Sequence, residues 1–156
     1  MKVIFLDIDG VLNYQGSNFI DTECFNNLKH IVEATGAKIV IISTWRVCMD
    51  DNYMRNYIRT PNKQILEYKE LFLRVFSGNM QWIDVAPDLD EHRSDEIKLW
   101  LHKHSEVTSF VVIDDFNVEY DIHFPNNWVR PSYYRNGLNR ELADKAIKIL
   151  NKEYEI

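Results

Sequence analysis

Three short runs of consecutive apolar residues punctuate the chain: Val3-Ile4-Phe5-Leu6, Ile39-Val40-Ile41-Ile42 and Phe110-Val111-Val112-Ile113. A strand that is apolar at every position has both faces covered, as in a parallel sheet with helices packed on each side. Between the first two runs, Asp21 to Thr35 carries Phe25, Leu28, Ile31 and Val32 at helical spacing. Asp21 stands where an N-cap is needed and Gly36 where a helix stops. The same rhythm returns from Ser94 to His104, through Ile97, Trp100 and Leu101, and from Asn139 to Lys152, through Leu142, Ala146, Ile149 and Leu150. Both segments predict amphipathic helices. In the less regular middle, Tyr53 to Ile58 and Gln64 to Phe72 read as helical, and Gln81 to Val85 as a further strand ahead of Pro87. Pro61-Asn62, Ser77-Gly78-Asn79 and Asn136-Gly137-Leu138 mark turns. Strands alternating with helices predict an α/β fold: a doubly wound, Rossmann-like parallel sheet with helices on both faces.

Composition narrows the function classes. At 156 residues, with 46% hydrophobic and 13% aromatic positions, the chain reads as one folded domain spanning 1–156. Its 18 basic and 24 acidic residues leave a net charge of -6, which argues against a broad basic face for nucleic acid but leaves room for a local basic groove. Cys24 and Cys48 are isolated in sequence, so neither a thiolate metal site nor a disulfide framework is expected. Asp7 cuts the first apolar run short of a signal peptide or membrane span, so the expectation is a cytoplasmic protein with no membrane partner.

The acids supply the chemistry. Asp7 and Asp9 directly follow the first apolar run, and Asp114 and Asp115 the third. Ligands of open parallel sheets bind beyond the carboxyl ends of the strands, at the switch in strand order. Four carboxylates therefore converge on one edge, an arrangement that raises at least one pKa unless a cation balances it. Hard carboxylate oxygens call for Mg²⁺. Ser43 and Thr44 follow the second run and bring hydroxyl donors to the same rim.

These residues carry a resemblance. FLDIDGVLN from Phe5 to Asn13, IIST from Ile41 to Thr44 and VVIDD from Val111 to Asp115 resemble three motifs of the haloacid dehalogenase (HAD) superfamily, many of whose members are Mg²⁺-dependent phosphatases. STWR from Ser43 to Arg46, RSDEIKLWL from Arg93 to Leu101 and NGLNRELADKAIKIL from Asn136 to Leu150 extend the likeness to the domains of this superfamily found in RNA-repair proteins and in small phage or bacterial hydrolases. By position in the motif, Asp7 would be the nucleophile that forms an aspartyl-phosphate. Asp9 would protonate the leaving oxygen and then deprotonate water, and its main-chain carbonyl would join the metal. The metal set is then Asp7, Asp9 and the Asp114-Asp115 pair, with Asp115 as direct ligand and Asp114 in support. Ser43 would bind a phosphoryl oxygen, with Thr44 as second candidate and Arg46 near the substrate. The superfamily normally adds a Lys; Arg93, at a helix start, is chosen over Lys98, which lies more than a turn further on. Arg is a planar fork rather than a point charge.

Relatives of this kind often shield the site with a cap inserted after the first motif or after the third strand. Gly10 to Asp21 has room only for a loop, and much of Trp45 to His92 is needed for core elements, so no full cap domain is expected. By analogy an open site suits a phosphorylated small molecule, nucleotide or nucleic-acid end. Competing readings are phosphotransfer on the same scaffold, a phosphorylatable receiver-like signalling domain and a catalytically silent interaction domain; Asp9 speaks against the receiver, and no acid is missing. Simpler readings also stand: strand-end turns for Asp7 and Asp9, a strand-end cap for Ser43-Thr44, a surface ion pair for Arg93, and a solvated face for Arg55, Arg59 and Lys63. His102 and His104, two residues apart, fall on different helix faces and do not form a metal pair.

Overall fold

The structure, a computed structural model, describes residues 1–43, 70, 73–77, 82–85 (backbone) and 92–152. Its elements run β1 (Lys2–Leu6), α1 (Thr22–Thr35), β2 (Lys38–Ile41), β3 (Trp82–Val85), α2 (Arg93–Lys103), β4 (Ser109–Ile113), α3 (Tyr120–His123), β5 (Trp128–Val129) and α4 (Arg140–Leu150). The strands form one sheet in the order β3-β2-β1-β4-β5, and every pairing is parallel. The chain builds outward from β1 through β2 to β3, then returns to β4 on the other side. The switch in strand order therefore falls between β1 and β4.

Alternate residues of the three apolar runs point to opposite faces, and each face has its own core. Ile4, Leu6, Ile39, Ile41, Val111 and Ile113 pack with Leu28 and Ile31 of α1 and with Ala143, Ala146 and Leu150 of α4. Val3, Phe5, Val40, Ile42 and Val112 pack with Ile97 and Trp100 of α2 and with Tyr120 and Phe124. The Phe5 ring meets the Trp100 indole edge-on at 5.4 Å. Helices thus cover both faces, as the unbroken apolar runs require, and the fold is the predicted α/β class.

The helix ends follow local chemistry. Asp21 caps α1 by accepting a 3.0 Å hydrogen bond from the Cys24 N–H. Gly36, at φ 68, closes it in a left-handed conformation that glycine adopts without strain. Asn139 caps α4 through the Leu142 N–H at 2.9 Å. α2 begins at Arg93, one residue before the Ser94 expected, and β3 spans Trp82–Val85, the expected start at Gln81 lying outside the described residues. α3 and β5 were not expected: four and two residues are too few to show a period. The helices predicted at 53–58 and 64–72 lie outside the described residues, apart from Glu70, which is helical.

Residues 7–21, between β1 and α1, form turns and no cap domain. This connection is tied to the chain ahead of α4, where Leu138 N–H donates to Val11 O at 2.8 Å and Gln15 N–H to Tyr133 O at 2.7 Å. The other insertion point for a cap lies largely outside the described residues. Among those residues, no helix is long and apolar enough to cross a membrane.

Candidate active site

Register brings the acids together. Leu6 is level with Ile41 on one side and Ile113 on the other, so the next residues, Asp7, Ile42 and Asp114, stand abreast at the carboxyl edge of the sheet. Two further bonds carry the pairing past the strand ends: Asp7 N–H donates to Ile113 O and Ile42 N–H to Leu6 O, both at 3.0 Å. Carboxylate oxygens of Asp7, Asp114 and Asp115 all lie within 4.8 Å of one another. Above them opens a cavity of about 400 Å³, lined in part by Asp7, Asp9, Arg93, Asp115, Phe116 and Tyr133.

The two members of the Asp114-Asp115 pair differ in surroundings. Asp114 is fully buried. Its Oδ2 accepts from Arg93 Nη1 at 2.9 Å and from the Tyr120 hydroxyl at 2.8 Å, and its Oδ1 from the Phe116 N–H at 3.0 Å. Asp115 is half-buried and lines the cavity. Burial and the neighbouring Asp114 raise its carboxyl above the ordinary value. Gly10, at φ 79, makes room for it: a Cβ built there would lie 2.1 Å from Asp115 Oδ2. A residue with a side chain is excluded twice, by backbone conformation and by overlap.

Asp7 is only 4% exposed. Its carboxyl is pushed up to about 8, first by burial and then by Asp114, with Arg93 acting in the opposite direction. Arg93 Nη1 lies 3.3 Å from Asp7 Oδ1, so one guanidinium bridges Asp7 and Asp114. Burial alone would lower the Arg93 pKa; the two carboxylates outweigh it and raise it, so the group is a permanent cation. Tyr120, buried against Asp114, has its hydroxyl raised and remains a proton donor. Lys98 turns elsewhere, to His123 Nδ1 at 2.8 Å and to Asp95.

Asp9 is exposed at the cavity. The Asn13 side-chain amide N–H₂ donates to Asp9 Oδ1 and to Phe19 O, each at 3.0 Å, while Asn13 Oδ1 accepts from the Gly10 N–H at 2.8 Å. Asn13 therefore fixes the loop that carries Asp9. Ser43 is buried two residues beyond β2, on the same sheet edge. Thr44 and Arg46 lie outside the described residues, as do Cys48, Arg55, Arg59 and Lys63. Of the residues given no role from sequence, Gly10 and Asn13 lay within the first motif, and the glycine directly after two acids was a legible signal. Tyr120 gave none.

An all-acid oxygen set, with one oxygen from each of Asp7, Asp114 and Asp115 within 4.8 Å of the others, fits a hard divalent cation. Asp7 and Asp115 have sides open to the cavity, whereas the Asp114 oxygens already hold Arg93, Tyr120 and the Phe116 N–H.

The doubly wound sheet carries paired acids and the bridging Arg93 guanidinium at its switch point, where open α/β sheets bind ligands. The chain belongs to the family described as the HAD domain in Swiss Army Knife RNA repair proteins, which it matches over residues 3–143. No curated protein and no solved structure matches it. The family is one of hydrolase-type enzymes that generally use Mg²⁺.

Proposed function

We propose that the protein is a Mg²⁺-dependent phosphomonoesterase that works through an aspartyl-phosphate on Asp7 and acts on phosphorylated nucleic-acid ends or nucleotides. The observation that carries the reading is the Arg93 guanidinium 3.3 Å from Asp7 Oδ1, on the side of a cavity that Asp9 also lines. A carboxylate attacking a phosphate dianion meets like charge, and a fixed guanidinium beside it offsets that repulsion in a partly dry site.

The chain's own groups carry two displacements at phosphorus. An Asp7 oxygen bonds to phosphorus as the ester P–O bond breaks, and Asp9 gives its proton to the departing oxygen. Water then attacks the acyl phosphate, Asp9 takes a water proton, and Asp7 leaves as carboxylate with inorganic phosphate. Asn13 holds Asp9 for both transfers. Ser43 offers its hydroxyl to a phosphoryl oxygen, with Thr44 and Arg46 as further candidates for binding substrate. Mg²⁺, held by Asp7, the Asp9 carbonyl and Asp115 with Asp114 in support, would keep Asp7 ionised and neutralise phosphoryl charge. The family's description supports the choice of substrate.

The test is hydrolysis of an aryl phosphate and of 3′- and 5′-phosphorylated oligoribonucleotides with Mg²⁺. Activity should vanish with EDTA and in Asp7→Asn. Full activity of folded Asp7→Asn would remove Asp7 as nucleophile, and a rate indifferent to EDTA would remove the metal.

A further inference from the structure

Two exposed rings stand at the mouth of the cavity. Phe116 is 67% exposed and Tyr133 41%, and both line the same cavity as Asp7, Asp9 and Arg93. Next to Tyr133, at 5.3 Å and nearly perpendicular, is the ring of Tyr134, 79% exposed. A phenylalanine left this open gains nothing for the fold, because its apolar surface stays in water.

The backbone under both rings is pinned to the acids. Phe116 directly follows Asp115, and its N–H donates to Asp114 Oδ1 at 3.0 Å. Tyr133 O accepts from Gln15 N–H at 2.7 Å, on the connection that carries Asp7 and Asp9. The turn beyond it is closed by Gly137 N–H to Ser132 O at 3.0 Å. At Gly137 a Cβ would come within 2.9 Å of Val11 O, so this turn sits tightly against the first motif. The backbone that carries the two rings is thus tied to the segments that carry the acids.

We propose that Phe116 and Tyr133 form a stacking subsite for the nucleobase of the nucleotide that carries the scissile phosphate. The inference rests on the phosphatase reading and adds the part of the substrate that is recognised. A phosphoryl group docked on the cavity side of Asp7 and Arg93, which both line it, leaves its ester substituent pointing to the mouth, where the described lining offers flat apolar faces. Stacking is indifferent to base identity, since every base has a π-face. The volume of about 400 Å³ lies near the small end of the roughly 300–1,000 Å³ of ligand pockets, enough for one nucleotide unit, with the rest of a strand outside.

The experiment compares kcat/KM for a 3′-phosphorylated oligoribonucleotide, the same oligomer with an abasic terminal residue, and a phosphotyrosyl peptide. In the wild type the base-bearing oligomer is preferred. Phe116→Ala and Tyr133→Ala each lower the ratio of base-bearing to abasic kcat/KM by about 5- to 150-fold, the span of alanine substitutions at stacked bases. Phe116→Trp and Tyr133→Phe retain the ratio. Ile122→Ala, which removes an exposed apolar side chain that does not line this cavity, leaves the ratio unchanged. Equal losses on both oligomers, no change in the ratio, or a stronger dependence on the rings with the phosphopeptide overturns the proposal. If the wild type turns over none of these, the phosphatase reading fails, and binding decides the stacking subsite: Phe116→Ala must weaken the affinity for a nucleoside monophosphate more than for ribose phosphate, and equal weakening overturns it.

Discussion

Asp114 and Asp7 stand side by side at one sheet edge and are treated by the fold in opposite ways. Asp114 is surrounded by donors: Arg93, the Tyr120 hydroxyl and the Phe116 N–H occupy its oxygens. Two of the three, Arg93 and Tyr120, come from the helices on the Phe5 face of the sheet. Asp7 has the same guanidinium at a longer 3.3 Å, a cavity on its other side, and a carboxyl pushed up to about 8. Buried charge is stable when its hydrogen bonds are complete and costly when they are not. One acid has therefore become part of the scaffold, while its neighbour faces the cavity, the position a nucleophile or metal ligand needs.

Removing charge from each acid should break the comparison most sharply. Asp114→Asn takes away the closer partner of a part-buried Arg93 and should cost about 3 kcal/mol, the low end for breaking a buried pair. Asp7→Asn spares the folded chain the cost of taking up a proton at Asp7 at neutral pH and should stabilise the metal-free protein, although it abolishes turnover. Urea unfolding in EDTA measures both; equal destabilisation would mean that Asp7 too is structural. The shared cation comes next. Arg93→Ala should lower kcat/KM by about 10²- to 10³-fold, as loss of a preorganised charge-stabilising donor does, while Lys98→Ala stays near the wild-type rate. The reverse result would transfer the cationic role to Lys98.

What sequence disclosed about this edge divides along the same line. The acids were legible because each ends an apolar run, and in a parallel sheet such ends share one rim. That Arg93 rather than Lys98 stands beside the acids follows from helix position, since the first residue of α2 lies at the sheet edge and Lys98 turns to His123. The saturation of Asp114 was not. Tyr120 sits on a four-residue helix entered through Glu119 at φ 59 and an Asn117 side chain that accepts from the Tyr120 N–H. Nothing periodic marks so short an element. Asp114 and Asp115 are chemically identical neighbours, and only the third dimension distinguishes them. Exposed Phe116 likewise looks in sequence like any apolar residue after a strand.

Gly10 tests the open half of the site without touching a charge. In Gly10→Ala, the new methyl would meet Asp115 Oδ2 at 2.1 Å and the backbone would stay at φ 79, so either the loop or Asp115 must shift. Residues that orient a ligand typically change metal affinity by about 10- to 100-fold when altered. The expected outcome is a Mg²⁺ requirement raised by that factor in activity titrations, with kcat largely recovered at high Mg²⁺. A normal Mg²⁺ dependence would show that Asp115 is not a ligand.

The smallest effect lies in pH. Asp7 has an ordinary value of 3.8 and a folded value of about 8, so between those limits the folded chain holds a proton that the unfolded chain has released. Stability of the metal-free protein should therefore fall as pH rises through that window. Asp115, also raised, acts in the same direction, whereas Asp7→Asn removes the larger contribution. Mg²⁺ binds the ionised carboxylates, so the gain in Tm on adding it should be greater at pH 8 than at pH 5, by about 2–4 °C for each kcal/mol of difference. Thermal melts at the two pH values, with Mg²⁺ or EDTA, measure this in wild type and Asp7→Asn. A metal-free Tm with the same pH slope in both proteins would mean that Asp7 is already ionised without a cation, and the contrast between the two acids would lose its electrostatic basis.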